Sequence, residues 1–199
     1  MKKVIVFDTE TTGLPTDWSL ANFRHENWPH IVQLCWVAIA IDEEHSKAFI
    51  GGTSGGIVKP RIAIPENLET LHGISTAKAL QDGRYPEDIC REFIFDTIGV
   101  QGIVAHNADF DRNVVRAELE RQFDVGKSQQ AGYFSIHWGN LQFYCTMKQA
   151  KMPNGKWPKL AELYRWLFNE DFEGAHTAQA DVVATAKCYV KLAGLEIQV

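Results

Sequence analysis

The apolar run Val4–Phe7 (VIVF) passes without a break into Asp8, Thr9 and Glu10. A short apolar run of β-branched and aromatic residues reads as a buried strand. Side chains on a strand alternate between its faces, so Asp8 and Glu10, two positions apart, point the same way. Two anions crowded on one side of a buried strand are costly unless a cation or a shared proton compensates them. Whatever fold this chain adopts must place that compensation at the end of its first strand.

The chain has 199 residues, enough for one domain with a sizeable core, and residues 1–199 are read as a single domain. Apolar residues make up 45% and charged residues 23%, the balance of an ordinary globular protein. The opening MKKVIVF imitates a signal peptide, but its apolar run breaks at once on Asp8. No apolar stretch approaches the length of a membrane span. Cys35, Cys90, Cys145 and Cys188 are far apart and form no CxxC pair, so they read as free, mostly buried thiols in a reducing cytoplasm. A formal net charge of −5 argues against a broad basic footprint for nucleic acid, but leaves room for an enzyme that holds a few phosphates through metal ions.

Residues 2–10 and 31–42 read as the first two strands. KAFIGG (47–52) and GIVKP (56–60) read as two further sheet segments separated by a Gly/Ser/Thr turn at 51–56. Helical spacing of Ile89, Phe93 and Ile94 predicts a helix over 86–99, ending at Gly99. GIVAHN (102–107) reads as a buried strand feeding a helix over 109–123, with Val115, Leu119 and Phe123 one turn apart. A strand over 141–147 and helices over 159–168 and 178–193 complete the pattern. Strands first, then strands alternating with helices, indicate an α/β fold with a mixed sheet flanked by helices.

Three places put acids at a strand end or helix start: Asp8 with Glu10, Asp109 with Asp111, and Asp181 five residues after His176. Singly, each has a bland explanation. Asp181 is a helix-start acid, Asp109 a helix cap, and both gain from the helix dipole and the free N–H groups of the first turn. Together they make a set of hard oxygen ligands suited to Mg²⁺ or Mn²⁺. Two such ions roughly 3.5–4 Å apart clamp the attacking and leaving oxygens of a phosphoryl displacement. A neutral histidine titrates in the range needed to take a proton from the attacking water. Divalent metal would then compensate the crowded pair on the first strand.

FDTETTGL (7–14), HNADFD (106–111) and HTAQAD (176–181) resemble the three motifs of the DEDDh 3′→5′ exonucleases. This DnaQ-like group includes the proofreading epsilon subunit of bacterial DNA polymerase III, ribonuclease T and the TREX enzymes. LETLHGIS (68–75) resembles the group's segment between the first two motifs. The resemblance implies a ribonuclease H-like fold, a mixed five-stranded sheet with helices on both faces. It implies two Mg²⁺ or Mn²⁺ ions, with Asp8 bridging them and Glu10 and Asp181 holding the ion on the nucleophile side. Asp111 would hold the second, and Asp109 falls at a variable position. His176 would be the general base.

The implied activity is hydrolysis of a single-stranded nucleic acid from its 3′ end, releasing nucleoside 5′-monophosphates. Thr11, Thr12 and Gly13 would lie beside the last nucleotide, where glycine permits close approach. Leu14 and His72 are candidates for its base or sugar, with a core or cap role equally open for each. His106 and Asn107 either orient the second motif or satisfy local backbone groups. DNA versus RNA, and a stand-alone enzyme versus a DNA polymerase partner, stay open. Where many relatives have Asp-Thr, this chain has Cys145-Thr146. Trp18, Phe23 and Trp28, in the long 15–30 segment, either stack on bases or, the favoured reading, pack their loop onto the core. Residues 126–143 form a connector with no assigned structure, and His25, His30, His45 and His137 receive no role. Two rivals remain: a catalytically idle binding module of the same fold, and a phosphatase using Asp8 as nucleophile, which would leave His176 without a task.

Overall fold

The computed structural model describes residues 1–19, 23–122, 137–150 and 155–198. Six strands form one sheet: β1 (Lys2–Thr11), β2 (Ile31–Asp42), β3 (Lys47–Ile57), β4 (Gly102–Ala105), β5 (Phe143–Cys145) and β6 (Glu196–Gln198). Their order across the sheet is β5-β4-β1-β2-β3-β6. β2 pairs antiparallel with β1 and β3, whereas β1–β4, β4–β5 and β3–β6 are parallel. The helices are α1 (Glu66–His72), α2 (Thr76–Asp82), α3 (Pro86–Asp96), α4 (Ala108–Gln122), α5 (Thr146–Gln149), α6 (Leu160–Phe168) and α7 (Ala178–Leu192).

Alternation along β1 sorts the core into two layers. Ile5 and Phe7 join Leu34, Trp36 and Ile103 against Ile89 and Phe93 of α3 and Val114, Val115 and Leu119 of α4. Val4 and Val6 face the other way, joining Val37, Ile39 and Val104 against Ala178, Val182, Ala186 and Val190 of α7. The small residues of α7 at 178, 182 and 186 let it lie close on the sheet. Asp8 and Glu10 continue the second layer's parity, so they face the side on which α7 begins. No helix among the described residues is long and apolar enough to cross a membrane.

The expected mixed α/β sheet is present, with three differences in its elements. The sheet has six strands rather than five, because Glu196–Gln198 turns back after Gly194 and pairs with the edge of β3. Residues 47–57 form one strand, not two segments around a turn, and its register against β2 shifts between Val37 and Ile39. Gly55 there admits a neighbour: a Cβ on it would lie 2.1 Å from the Leu34 carbonyl oxygen and 2.8 Å from the Trp36 ring. A composition that reads as a turn is the space Trp36 needs. The strand expected over 141–147 is only three residues long, since α5 starts at Thr146. Phe123, most of the 126–143 connector and residues 20–22 of the 15–30 segment lie outside the described residues.

Candidate active site

Asp8, Glu10 and Asp181 come together from β1 and the first turn of α7. Each offers a carboxylate oxygen within 4.8 Å of those of the other two. Two features aim α7 at β1. Thr177 caps the helix, its Oγ1 accepting from the Ala180 N–H at 3.3 Å and donating to the Gly174 carbonyl at 2.9 Å. Gln33, directly opposite Glu10 on β2, accepts the Ala178 N–H on its Oε1 at 3.0 Å. A lone glutamine in the apolar run IVQLCWVAIA thus satisfies a buried donor of the helix that carries Asp181.

Asp111 reaches the same region from the first turn of α4 but stands outside that trio. It is only 3% exposed. Its Oδ1 accepts the Thr9 N–H at 3.1 Å and the Thr9 hydroxyl at 2.7 Å. Thr9, the residue between the two acids of β1 in sequence, therefore locks Asp111 in place. Asp109 points outward to Lys148, 2.5 Å away, as a variable position would. His106, in the same loop, is neutral by its surroundings: burial lowers its pKa. Its Nε2 donates to the Pro158 carbonyl and its Nδ1 accepts from the Thr146 hydroxyl, each at 3.0 Å. The Thr146 that follows Cys145 thus has a structural partner. Asn107 turns the chain into α4 with φ 61°, a left-handed conformation that asparagine tolerates.

The acids pay for their closeness in proton affinity. Burial, then Asp111, Asp181 and Glu10, push the Asp8 carboxyl well above its ordinary range. Burial, then Asp181 and Asp111, push Glu10 up to about 8. Burial lifts Asp111 to about 7 against the opposing hydrogen bonds of Thr9, and Asp181 to about 6. For Asp181 a backbone hydrogen bond from His176 and electrostatic attraction to that residue work in the opposite direction. Asp181 Oδ1 is buried and has no hydrogen-bond partner among the described residues. An orphaned carboxylate oxygen beside two more carboxylates fits a hard divalent cation, and the donor set is all oxygen, as Mg²⁺ and Mn²⁺ prefer.

His176 is exposed, in the turn before α7, with φ 71°. A non-glycine residue in this conformation costs about 1–2 kcal/mol, and such strain gathers at functional positions. Thr11 and Thr12 are nearly buried. The Thr11 hydroxyl donates to the Gly13 carbonyl at 2.8 Å, and Thr12 exchanges two 3.0 Å bonds with the His30 backbone. Leu14 stands 72% exposed beside this turn. His72 is buried: its Nδ1 accepts the Ile74 N–H at 3.2 Å, while its Nε2 has no partner among the described residues.

The aromatic trio divides. Trp28 is buried and Phe23 packs against it, as favoured, whereas Trp18 is half exposed, edge-on to Trp28. Buried Glu118 and partly buried Arg121 hold that segment to α4, Arg121 donating to the carbonyls of His25, Trp28 and Pro29. Thr9, Gln33, His30 and this pair are supports that motif reading did not single out. Only Gln33 left a signal, as a polar residue inside an apolar strand.

A mixed sheet with carboxylates gathered where its first strand meets two helix starts is the architecture of ribonuclease H-like phosphodiester-cleaving enzymes. The exonuclease family model (RNase_T) matches residues 5–189. This chain belongs to that family and is a DnaQ-like 3′→5′ exonuclease. It is 29% identical over 195 residues to the DNA polymerase III subunit epsilon of Buchnera aphidicola subsp. Acyrthosiphon pisum (strain APS), covering 97% of this chain and 73% of that one. Exonuclease X, solved in complex with 5′ overhanging duplex DNA, superposes with a TM-score of 0.61 at 23% identity, over 96% of this chain and 91% of the other. E. coli exonuclease I, solved with a dA16 oligonucleotide, gives 0.71 at 17% identity, over 98% of this chain and 41% of the longer one.

Proposed function

We propose that this exonuclease removes nucleoside 5′-monophosphates from the 3′ end of single-stranded DNA with two divalent cations, Mg²⁺ or Mn²⁺, held by Asp8, Glu10, Asp181 and Asp111. The observation that carries the reading is the three-carboxylate cluster with its orphaned, buried Asp181 oxygen. Divalent cations there would activate water as a nucleophile and neutralise charge building on the leaving 3′-oxygen. Asp8, whose proton affinity the other three acids all raise, would be a ligand of these cations. Thr9 would fix the Asp111 carboxylate in place through the reaction. His176, exposed and next to Asp181, would accept the proton of the attacking water. Thr11 to Gly13, tied to His30, would set the backbone against the terminal nucleotide, with exposed Leu14 against its base.

DNA is favoured because the polymerase subunit, exonuclease X and exonuclease I are named or solved with DNA. The epsilon relative supports a DNA polymerase as a partner, with proofreading or repair as the setting. Four free cysteines, three of them buried, support a reducing cytoplasm, and the apolar layers on either side of one sheet support a single exonuclease domain. The test is a gel time course of 5′-labelled single-stranded DNA and its RNA counterpart, each with Mg²⁺ and with EDTA. A Mg²⁺-dependent ladder shrinking from the 3′ end, faster on DNA, is expected. Intact oligomers in Mg²⁺ would favour an idle binding module, and a phosphoenzyme trapped on Asp8 would favour the phosphatase reading.

A further inference from the structure

Between Asp124 and Glu162 the sequence holds five lysines and no acid, in a chain whose overall charge is negative. The described lysines of this stretch are Lys148, Lys156 and Lys159, all exposed. Trp157 stands among them, 68% exposed. Two hydrogen bonds of one histidine fix where these residues sit. His106, at the end of β4 and five residues before Asp111, accepts from Thr146 at the start of the helix carrying Lys148. It also donates to the carbonyl of Pro158, between Trp157 and Lys159. Lys148 pairs with Asp109, two residues before Asp111. Both ends of the lysine-bearing segment are therefore tied to the loop and helix start that also carry Asp111.

An enzyme that consumes a strand from its 3′ end holds one nucleotide beyond the scissile phosphate, and the rest of the strand lies on the 5′ side. Two bound dications would neutralise the four carboxylates, but the phosphates beyond the scissile one still need cations of the protein, and a planar ring offers stacking to any base. Two acids meet the described part of the segment: Asp109, paired with Lys148, and Glu162, whose Oε2 accepts the Lys159 N–H at 2.8 Å. The Lys148–Asp109 pair is solvent-exposed, and such pairs contribute only about 0–1 kcal/mol. Lys148 can therefore exchange Asp109 for a phosphate at little cost.

We propose that Lys148, Lys156 and Lys159, with Trp157, form a track for the phosphate backbone of the substrate strand on the 5′ side of the scissile bond. The proposal rests on the exonuclease reading above and names how that site holds the body of its substrate. The experiment measures the dissociation constant of a 5′-fluorescein-labelled single-stranded DNA 12-mer by anisotropy from 50 to 300 mM KCl, with Ca²⁺ replacing Mg²⁺. It compares the wild type with K148Q/K156Q/K159Q and with Trp157→Ala.

Each lost phosphate contact lowers the slope of log Kd against log salt by roughly 0.7 for a single strand, so the triple variant should lose a slope of about 2. Trp157→Ala should weaken binding roughly tenfold and leave the slope unchanged. A Mn²⁺-induced rise in melting temperature reports whether each variant is folded. Should the triple variant fail that check, K159Q alone should lose a slope of about 0.7. A wild-type slope retained in a folded lysine variant overturns the track. Hydrolysis of p-nitrophenyl thymidine 5′-monophosphate by the wild type in Mg²⁺ is measured alongside. Its absence would count against the catalytic reading, while the salt slopes would still decide the track.

Discussion

β1 has two faces that begin alike and end differently. On one, Ile5 and Phe7 enter a closed aromatic layer in which Phe7, Trp36, Phe93 and Trp138 pack ring on ring at centroid distances of 5.1–5.8 Å. On the other, Val4 and Val6 give way to Asp8 and Glu10, and the strand that contributes to the core also gathers anions. The first face draws only apolar side chains, Ile5 and Phe7, from this stretch of β1. The second holds buried acids with raised proton affinities and an oxygen without a partner. A group that destabilises the fold when charged persists only where a ligand offsets it, so the contrast between the two faces marks the site.

Replacing Asp8 by Ala should break the second face alone. Turnover should fall about 10⁴-fold, several kcal/mol of transition-state stabilisation, while circular dichroism stays native. Retention of most activity in steady-state kinetics would remove Asp8 from the centre. His176→Ala should cost about 10³-fold in kcat with divalent-ion binding intact, measured by kinetics alongside Mn²⁺ titration. Loss of Mn²⁺ binding in that variant would make His176 a ligand instead of a base. On the first face, Phe93→Ala should lower stability by about 3–5 kcal/mol in urea melts, with little change in kcat for molecules still folded at low temperature. An equal loss of kcat would mean that the two faces are not separable.

The smallest effect concerns pH. Carboxyls whose folded pKa values lie above their unfolded ones add stability at low pH, and that contribution disappears as pH rises through the folded values. With Glu10 at about 8, Asp111 at about 7 and Asp181 at about 6, the metal-free protein should lose several degrees of melting temperature from pH 6 to 8. Saturating Mg²⁺ should flatten that slope, because ion binding displaces the protons. Scanning calorimetry with and without Mg²⁺ checks it, and parallel slopes would detach the acids from the ion.

Much of this was legible in the sequence because it rests on short periods. The two-residue spacing of Asp8 and Glu10 gives their shared face, helical spacing gives α3, α4 and α6, and Gly194 marks the end of α7. What was not legible depends on contacts across the chain. The glycines of β3 read as a turn because nothing local reveals Leu34 and Trp36 lying against Gly55. β6 is three residues long, too short to carry a period. Thr9, Gln33, His30 and Arg121 support the site through bonds to residues 18 to 145 positions away, a distance at which sequence pattern is silent. The motifs named the acids, but only the fold shows that Asp111 is locked by Thr9 apart from the other three.

The most direct measurement is a Mn²⁺ titration by isothermal calorimetry at pH 8, comparing the wild type with Asp8→Asn. Saturable binding in the wild type, lost or weakened at least a hundredfold in the variant, is the predicted result. Equal binding by both proteins, or none by either, would contradict a divalent-cation site at the end of β1.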